Sequence, residues 1–432
     1  MKLAIIAGGK GTRLGLKDIP KPMVKIANKP ILEHQIELAK RYGLHDIYLL
    51  TGHMSDVITD YFGDGSRFGV HITYIEEDSP LGTAGAIKTL EDTFNDRFMV
   101  FYGDTIMDVD LRAFIEFDHA YESIASIIVH PNDHPYDSDL VEVNRNNDVT
   151  AFHPKPHQAN IYYRNLVNAA LYILSPRVFD YIPQDAFLDF GKDIFPLLLQ
   201  SKETVKAYNT PEYIKDMGTP DRLDKTEKDF ISGKIGRLNK ENRRKAIFLD
   251  RDGILNKDVD NLHKIEDFEL IHGVGHALRK INSSEYLTIV ITNQPVIAKG
   301  FCTEEDLYEI HKKMETLLGI DRAYIDDLYY CPHHPEKGFV GEREDLKIDC
   351  DCRKPKAGLI YKAAEDHNID LTGSYFIGDR YADIQAGISA GLETILLTTG
   401  HAGDDKDKYI VEPDNIFDSF TEAVDYILMG GK

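Results

Sequence analysis

The stretch Ala246-Ile-Phe-Leu-Asp250-Arg-Asp252-Gly253 decides how this chain is read. Its four apolar residues suffice for a buried strand, and they deliver the chain into two carboxylates one residue apart and a glycine. Such an opening begins a domain, and the segment before it, 234–245, is a basic tether. The chain therefore divides into residues 1–229, a linker over 230–244, and residues 245–432.

Length and composition agree. The 432 residues, 42% hydrophobic and 28% charged, suit two to three globular domains with ample core. Fifty basic residues against 72 acidic ones give a net charge of −22, which argues against a nucleic acid or an anionic membrane surface as the main partner. Small phosphorylated substrates remain, given metal ions and a few placed cations. No tract is long and apolar enough to span a membrane, and the run before Gly8 is too short for a signal sequence, so a cytoplasmic location is expected. Self-association into a homo-oligomer is left open.

Outward from Asp250, the same arrangement recurs. Thr292 follows an apolar run over 287–291, and Gly378-Asp379-x-x-x-Asp383 follows one over 375–377, with Lys354 between them. A parallel sheet gathers such strand-end groups at one edge. Any one of these aspartates alone reads equally well as a loop cap; the ordered set does not. Cys331-Pro-His333-His-Pro and Cys350-Asp-Cys352-Arg-Lys354-Pro add three thiolates and an imidazole, a closed tetrahedral set for structural Zn²⁺ that clips the polar loop 336–349. His334 is the alternative to His333, and Cys302 stands apart as a free thiol.

These motifs, in this order, resemble the haloacid-dehalogenase-like phosphohydrolases. The resemblance implies that Asp250 attacks phosphorus, that Asp252 carries the proton for both half-reactions, and that Thr292 and Lys354 bind the transferred group. It also implies Mg²⁺ held by Asp250, by Asp252 through its carbonyl and by Asp379, with Asp383 in support. The cysteine-rich loop is similar to that of the D-glycero-D-manno-heptose 1,7-bisphosphate 7-phosphatases, in which Arg353 would contact the far phosphate. Histidinol-phosphate phosphatases, with a related zinc loop, are the runner-up. One departure, Pro295-Val296 where the heptose enzymes usually show Ser-Gly, bears on the substrate loop and leaves Thr292 intact.

The first half opens on Leu3-Ala-Ile-Ile-Ala7, a buried-strand run, and Gly8-Gly-Lys-Gly-Thr-Arg-Leu14. Gly8, Gly9 and Gly11 let backbone N–H groups approach an anion, and Lys10 and Arg13 add positive charge; a plain strand-to-helix turn is the alternative. A helix over 30–42, a strand over 47–50 and a second glycine-rich segment, Leu81-Gly-Thr-Ala-Gly85, ahead of another helix continue the βαβ alternation. Asp104 follows the apolar run 98–102, where open α/β sheets bind ligands or where a turn takes a cap.

With Lys21-Pro22, Lys155-Pro156, Asn168-Ala169 and Asp216-x-Gly-Thr-Pro220, this half resembles the sugar-phosphate nucleotidyltransferases. The resemblance implies a phosphate-wrapping loop (Gly8, Gly9, Gly11, Thr12) with Arg13 on the leaving pyrophosphate and Lys21 near the α-phosphate. Asp104 and Asp216 would hold Mg²⁺. Leu81, Gly82, Thr83 and Gly85 would face the base, and Lys155, Asn168 and Lys192 the sugar phosphate. Asp189 reads equally as a helix cap or a sugar contact. The Leu81 segment is like that of guanylyltransferases, which favours GTP; Pro154 replaces a family glutamate.

The expected fold is thus α/β, two doubly wound, mostly parallel-sheet domains. The two resemblances meet in GDP-heptose synthesis: a 7-phosphatase leaves the heptose 1-phosphate that a guanylyltransferase activates. A mannose 1-phosphate guanylyltransferase fused to another phosphatase, or a non-catalytic sugar-nucleotide sensor, are the alternatives. In the scaffold, Thr303-Glu-Glu-Asp306 should cap a helix, Phe420, Ala423, Val424, Ile427 and Leu428 share one helical face, and 403–407 reads as a solvated acidic loop.

Overall fold

Lys2–Ile6, the run that leads into Gly8, is a central strand, parallel to Asp46–Thr51 on one side and Phe98–Tyr102 on the other. Its side chains alternate between two cores, Leu3 and Ile5 into one and Ala4 into the other, which is why the run is apolar throughout. His71–Glu76 extends the parallel set beyond Asp46–Thr51. On the far side Val167–Leu174 runs antiparallel to Phe98–Tyr102 and carries Ala125–His130 and Leu140–Val143. Helix Ile31–Arg41 buries Leu32, Ile36 and Ala39 against this sheet, the face its spacing predicts.

The computed structural model describes residues 1–9 and 19–431. They fall into two compact units. The first is Met1–His130 with Asp137–His157 and Leu166–Asn239; the second is Lys240–Lys432 with Pro131–Tyr136 and Gln158–Asn165. Among the described residues no helix is long and apolar enough to cross a membrane.

A two-stranded ribbon completes the first unit. Tyr213–Asp216 pairs antiparallel with Thr105–Asp108, opposing Asp216 to Thr105, and the Met217 N–H donates to the Asp104 carbonyl at 2.9 Å. Two aspartates 112 positions apart in sequence are thereby drawn to the same end of the sheet.

The second unit is a six-stranded sheet in the order Asp327–Cys331, Tyr286–Asn293, Lys245–Leu249, Tyr375–Gly378, Glu393–Leu397, Asn415–Phe417. Every pairing is parallel. The chain leaves Lys245–Leu249 in one direction and later returns to build in the other, so Asp250 follows the strand at which the order reverses, where doubly wound sheets bind their ligands. Helix Glu304–Ile320 starts on the expected Thr303–Asp306 capping box.

The form of the basic segment, open in the sequence, is now defined, and two expectations are revised. The basic segment 234–245 is packed: Lys234–Arg237 is helical, Ile235 and Leu238 are buried, and Asn239 donates to Asp108 at 2.7 Å. Residue Arg244 is buried in the second unit, with its Nε on the His367 carbonyl at 2.9 Å. The Leu81 segment does not precede its helix but forms its start, Gly82–Lys88. Within 403–407, Asp405 is buried and accepts from the Tyr381 and Ala382 N–H groups at 2.7 and 3.2 Å, capping helix Tyr381–Ala390 rather than lying in solvent.

Candidate active sites

In the second unit the strand ends converge as their spacing implies. The Nζ of Lys354 lies 2.9 Å from Asp250 Oδ1 and 2.7 Å from Asp383 Oδ1, and donates to the Ile291 carbonyl at 2.9 Å. Lysine and nucleophile candidate are both buried. Burial works against the lysine's charge, yet Asp250 and Asp383 override it and its pKa is raised. Asp250, Asp379 and Asp383 bring one oxygen each within 4.8 Å of one another. Burial, and then Asp383 and Asp250, push Asp379 up to about 8, and its Oδ1 is buried without a hydrogen-bond partner. Three clustered carboxylates, two of them paired with one lysine, are an anionic, all-oxygen nest that fits a hard divalent cation such as Mg²⁺.

The carboxylate of Asp252 stands outside that nest, so its part in a metal set would be its carbonyl. Arg251, which is wholly buried, donates from Nη2 to both Asp252 oxygens at 2.8 and 2.9 Å. Asn256 adds a donor to Oδ1 and Gln294 one to Oδ2, each at 2.9 Å. Enclosure by the fold raises the Asp252 pKa, but Arg251 and these amides outweigh it and hold the carboxyl below its ordinary value. Gln294 also donates to Thr292 Oγ1 at 2.9 Å, tying Asp252 to Thr292.

These groups open into a cavity of about 420 Å³ whose lining includes Asp250, Asp252, Lys299, His334, Arg353 and Lys354. Burial and then the neighbouring cations Arg353 and Lys347 lower the Lys299 pKa. Beside it, His333 Nδ1 lies 3.2 Å from Cys352 Sγ, which is 3.2 Å from both Cys331 and Cys350 Sγ; Cys331 and Cys350 are 3.6 Å apart. Four soft ligands at these separations fit a tetrahedral Zn²⁺. The imidazole of His334 turns to the cavity instead, and burial pushes the Cys302 thiol up to about 11.

The first unit holds a second cavity, of about 450 Å³, lined by Gly9, Lys21, Asp104, Lys155, Asn168, Lys192 and Asp216 among others. Lys21 is ion-paired with Asp104. Arg222 donates to both oxygens of Asp216 at 2.7 and 2.6 Å and reaches Asp137 at 3.3 Å, while Lys155 Nζ meets Asp137 Oδ1 at 2.9 Å. Paired carboxylates already balanced by movable cations can exchange them for Mg²⁺ and phosphate. Gly11, Thr12 and Arg13 lie outside the described residues.

Asp189 and the Leu81 segment also make contacts within the fold. Asp189 caps its helix, accepting from the Gly191 and Lys192 N–H groups at 2.9 and 3.1 Å, and holds the Thr83 hydroxyl at 2.9 Å; it also lines the cavity, so cap and sugar contact are compatible. A Cβ on Gly82 or Gly85 would collide with the Leu188 or Ala186 carbonyl, so these glycines serve a close backbone approach. Among the described residues, Leu81, Gly82, Thr83 and Gly85 do not line the cavity. Sequence reasoning missed Arg222, Arg251, Asn256 and Gln294. Only Arg251, between the two motif aspartates, carried a signal, a charged residue where a strand end should be buried.

Residues 2–232 match the family model described as nucleotidyl transferase, and residues 351–423 one described as HAD-hydrolase-like. The D-glycero-beta-D-manno-heptose-1,7-bisphosphate 7-phosphatase of Haemophilus ducreyi is 44% identical over 161 residues, 37% of this chain and 86% of that protein. The Escherichia coli protein of the same name is 40% identical over 156 residues, 36% of this chain and 80% of its own. A crystal structure of HddC from Yersinia pseudotuberculosis is 31% identical, covers 53% of this chain and 99% of its own, and has a TM-score of 0.47. By the first family model and the phosphatase relatives, the chain belongs to the nucleotidyl transferase family in its first half and to the haloacid-dehalogenase-like phosphatases in its second: a nucleotidyltransferase and a phosphomonoesterase in one polypeptide.

Proposed function

We propose that the chain carries out two consecutive steps of GDP-heptose synthesis. The second unit removes the 7-phosphate of D-glycero-D-manno-heptose 1,7-bisphosphate, and the first transfers GMP from GTP to the heptose 1-phosphate so formed, releasing pyrophosphate. The fusion itself carries this reading: a phosphatase half akin to heptose-bisphosphate phosphatases is joined to a family that consumes sugar 1-phosphates. The cationic wall of Lys299 and Arg353 opposite Asp250 supports a substrate with a second phosphate. In this reading residues 1–229 are the transferase, 245–432 the phosphatase, and 230–244 join them.

At the phosphatase site, an Asp250 oxygen bonds to phosphorus as the P–O bond to the sugar breaks, and Asp252 gives its proton to the departing oxygen. Asp252 then takes a proton from the water that attacks the aspartyl phosphate, freeing inorganic phosphate and Asp250. Thr292 and Lys354 hold the transferred group. At the transferase site an oxygen of heptose 1-phosphate attacks the α-phosphorus of GTP and the bond to pyrophosphate breaks. Lys21 and Arg13 balance the phosphate charge, Gly8, Gly9, Gly11 and Thr12 wrap the phosphates, and Lys155, Asn168 and Lys192 orient the sugar phosphate. Mg²⁺ held by Asp104 and Asp216, and by the Asp250 and Asp379 nest, would neutralise phosphoryl oxygens; Zn²⁺ would order the loop 336–349.

Two variants test the assignment. Asp250→Asn should abolish phosphate release from the bisphosphate while GTP-dependent pyrophosphate release from heptose 1-phosphate persists; Asp104→Asn should do the reverse. If either variant loses both activities while remaining folded, or neither, the two-site reading fails.

A further inference from the structure

Three side chains of the first unit, far apart in sequence, meet at one carboxylate. Asp137 closes the turn Pro135–Asp137, Lys155 follows the strand Val149–His153, and Arg222 lies in the first turn of the helix Pro220–Ile231. Lys155 Nζ is 2.9 Å from Asp137 Oδ1, and Arg222 Nη2 is 3.3 Å from Oδ2. Each oxygen of the carboxylate thus meets one cation, and all three side chains line the cavity that holds Asp104 and Asp216. The arrangement is an anion site filled by an anion of the chain's own.

The two cations are held in place independently of that carboxylate. Lys155 Nζ also donates to the Asp137 backbone carbonyl at 2.6 Å, and Arg222 Nη1 is held by both oxygens of Asp216 at 2.7 and 2.6 Å. The backbone beneath is tied down as well: His157 Nε2 donates to the Ser138 carbonyl at 2.9 Å, and the Lys155 N–H to Asp139 Oδ1 at 3.1 Å. The Asp137 side chain itself is 52% exposed, so its two ion pairs are screened and each is weak. Rotation of that side chain therefore uncovers two positioned cations without moving the loop. A phosphate monoester, with close to two negative charges near neutral pH and three terminal oxygens, makes stronger charge-assisted bonds to a guanidinium and an ammonium than a single carboxylate does.

We propose that Lys155 and Arg222 together seat the phosphate of the sugar 1-phosphate, and that Asp137 is a resident competitor which this phosphate displaces; this rests on the transferase reading above. Arg222 thereby becomes a substrate-binding residue, and Asp137 a residue that lowers the affinity of the site for the sugar phosphate.

The test follows pyrophosphate release by the full-length chain, with GTP and heptose 1-phosphate varied in turn. Asp137→Asn keeps the shape and removes the competing charge, so KM for heptose 1-phosphate should fall about three- to tenfold while KM for GTP stays near that of the parent. Asp137→Glu, which retains a competing carboxylate, should stay close to the parent for both substrates. Arg222→Gln should raise KM for heptose 1-phosphate by about ten- to a hundredfold. An unchanged or higher KM for the sugar phosphate in Asp137→Asn overturns the displacement, and so does an equal fall for both substrates, which marks a general change of charge. An unchanged KM in Arg222→Gln removes Arg222 from the seat. A parent that releases no pyrophosphate from GTP and heptose 1-phosphate overturns the transferase reading itself, and the proposal with it. The exposed Asp137 variants decide the matter even where Arg222→Gln, which deprives Asp216 of its cation, fails to fold.

Discussion

Arg251 is wholly buried and donates to both carboxylate oxygens of its neighbour Asp252, at 2.8 and 2.9 Å. A guanidinium in this fork-on geometry fixes where the carboxylate points. Arg251→Lys keeps the charge and loses the fork. Phosphate release should fall by about a hundredfold in kcat with little change in KM, because the group displaced is, in the proposed mechanism, the proton carrier and not the phosphate binder. Arg251→Met leaves an enclosed carboxylate without its cation and should cost about 3–5 kcal/mol of stability in the second unit. Equal loss in kcat and gain in KM for Arg251→Lys would point to a substrate contact.

The other end of Arg251 meets His311, whose Nε2 accepts from Nη1 at 3.2 Å. Burial, and then the charge of Arg251, hold His311 well below its ordinary value of 6.5, so it stays neutral in the fold. The unfolded chain takes up a proton there below about pH 6.5 and the folded one does not. Its contribution to stability is therefore full above that pH and lost as pH falls below it. His311→Gln should flatten the decline between pH 6.5 and 5 relative to the parent, as followed by urea denaturation at each pH. Identical pH profiles would show that His311 takes up its proton without unfolding.

The thiolate–imidazole cluster flanks the loop 336–349, whose Val340 is 97% exposed and whose Arg343 N–H is tied to the Ala298 carbonyl at 3.0 Å. Elemental analysis should find zinc, and chelation should open 336–349 to proteolysis and lower the melting temperature. Burial raises the Cys331 thiol pKa in the absence of metal, so zinc uptake must release protons and should weaken as pH falls. Unchanged proteolysis after complete zinc removal would deny the cluster a structural part.

Two glycines of the first unit separate packing from ligand binding. Gly85→Ala sets a methyl group against the Ala186 carbonyl and should cost about 1–3 kcal/mol. Among the described residues a Cβ on Gly9 meets nothing within 4 Å, so Gly9→Ala should leave stability within about 0.5 kcal/mol while raising KM for the nucleotide. Thermal melts and nucleotide titrations of both variants check this. An unchanged KM in Gly9→Ala would remove that residue from the phosphate loop.

How much of this was legible beforehand follows from range in sequence. Asp250, Thr292 and Asp379 each announce themselves at the end of a short apolar run, and parallel pairing brings such ends together without further information, whereas Lys354 was marked by its place in the cysteine motif. The Cys and His ligands are likewise readable because two short spacings suffice. The clamp on Asp252 is not, since Gln294 reaches it from 42 residues away by a side-chain contact that no period encodes. Nor is Asp405, whose acidic neighbours suggest solvent but which caps a helix starting 24 residues earlier. Gly82 and Gly85 carry a requirement that the sequence did not show: each admits a neighbouring backbone carbonyl.

The most direct test of two consecutive reactions in one chain follows phosphorus NMR signals with each anomer of the heptose 1,7-bisphosphate, Mg²⁺ and GTP. The predicted result, with one anomer, is loss of the 7-phosphate signal, growth of inorganic phosphate, and then pyrophosphate together with the paired signals of a nucleoside diphosphate sugar. A bisphosphate that persists with both anomers, or a heptose 1-phosphate that accumulates and is never activated by GTP, would contradict it.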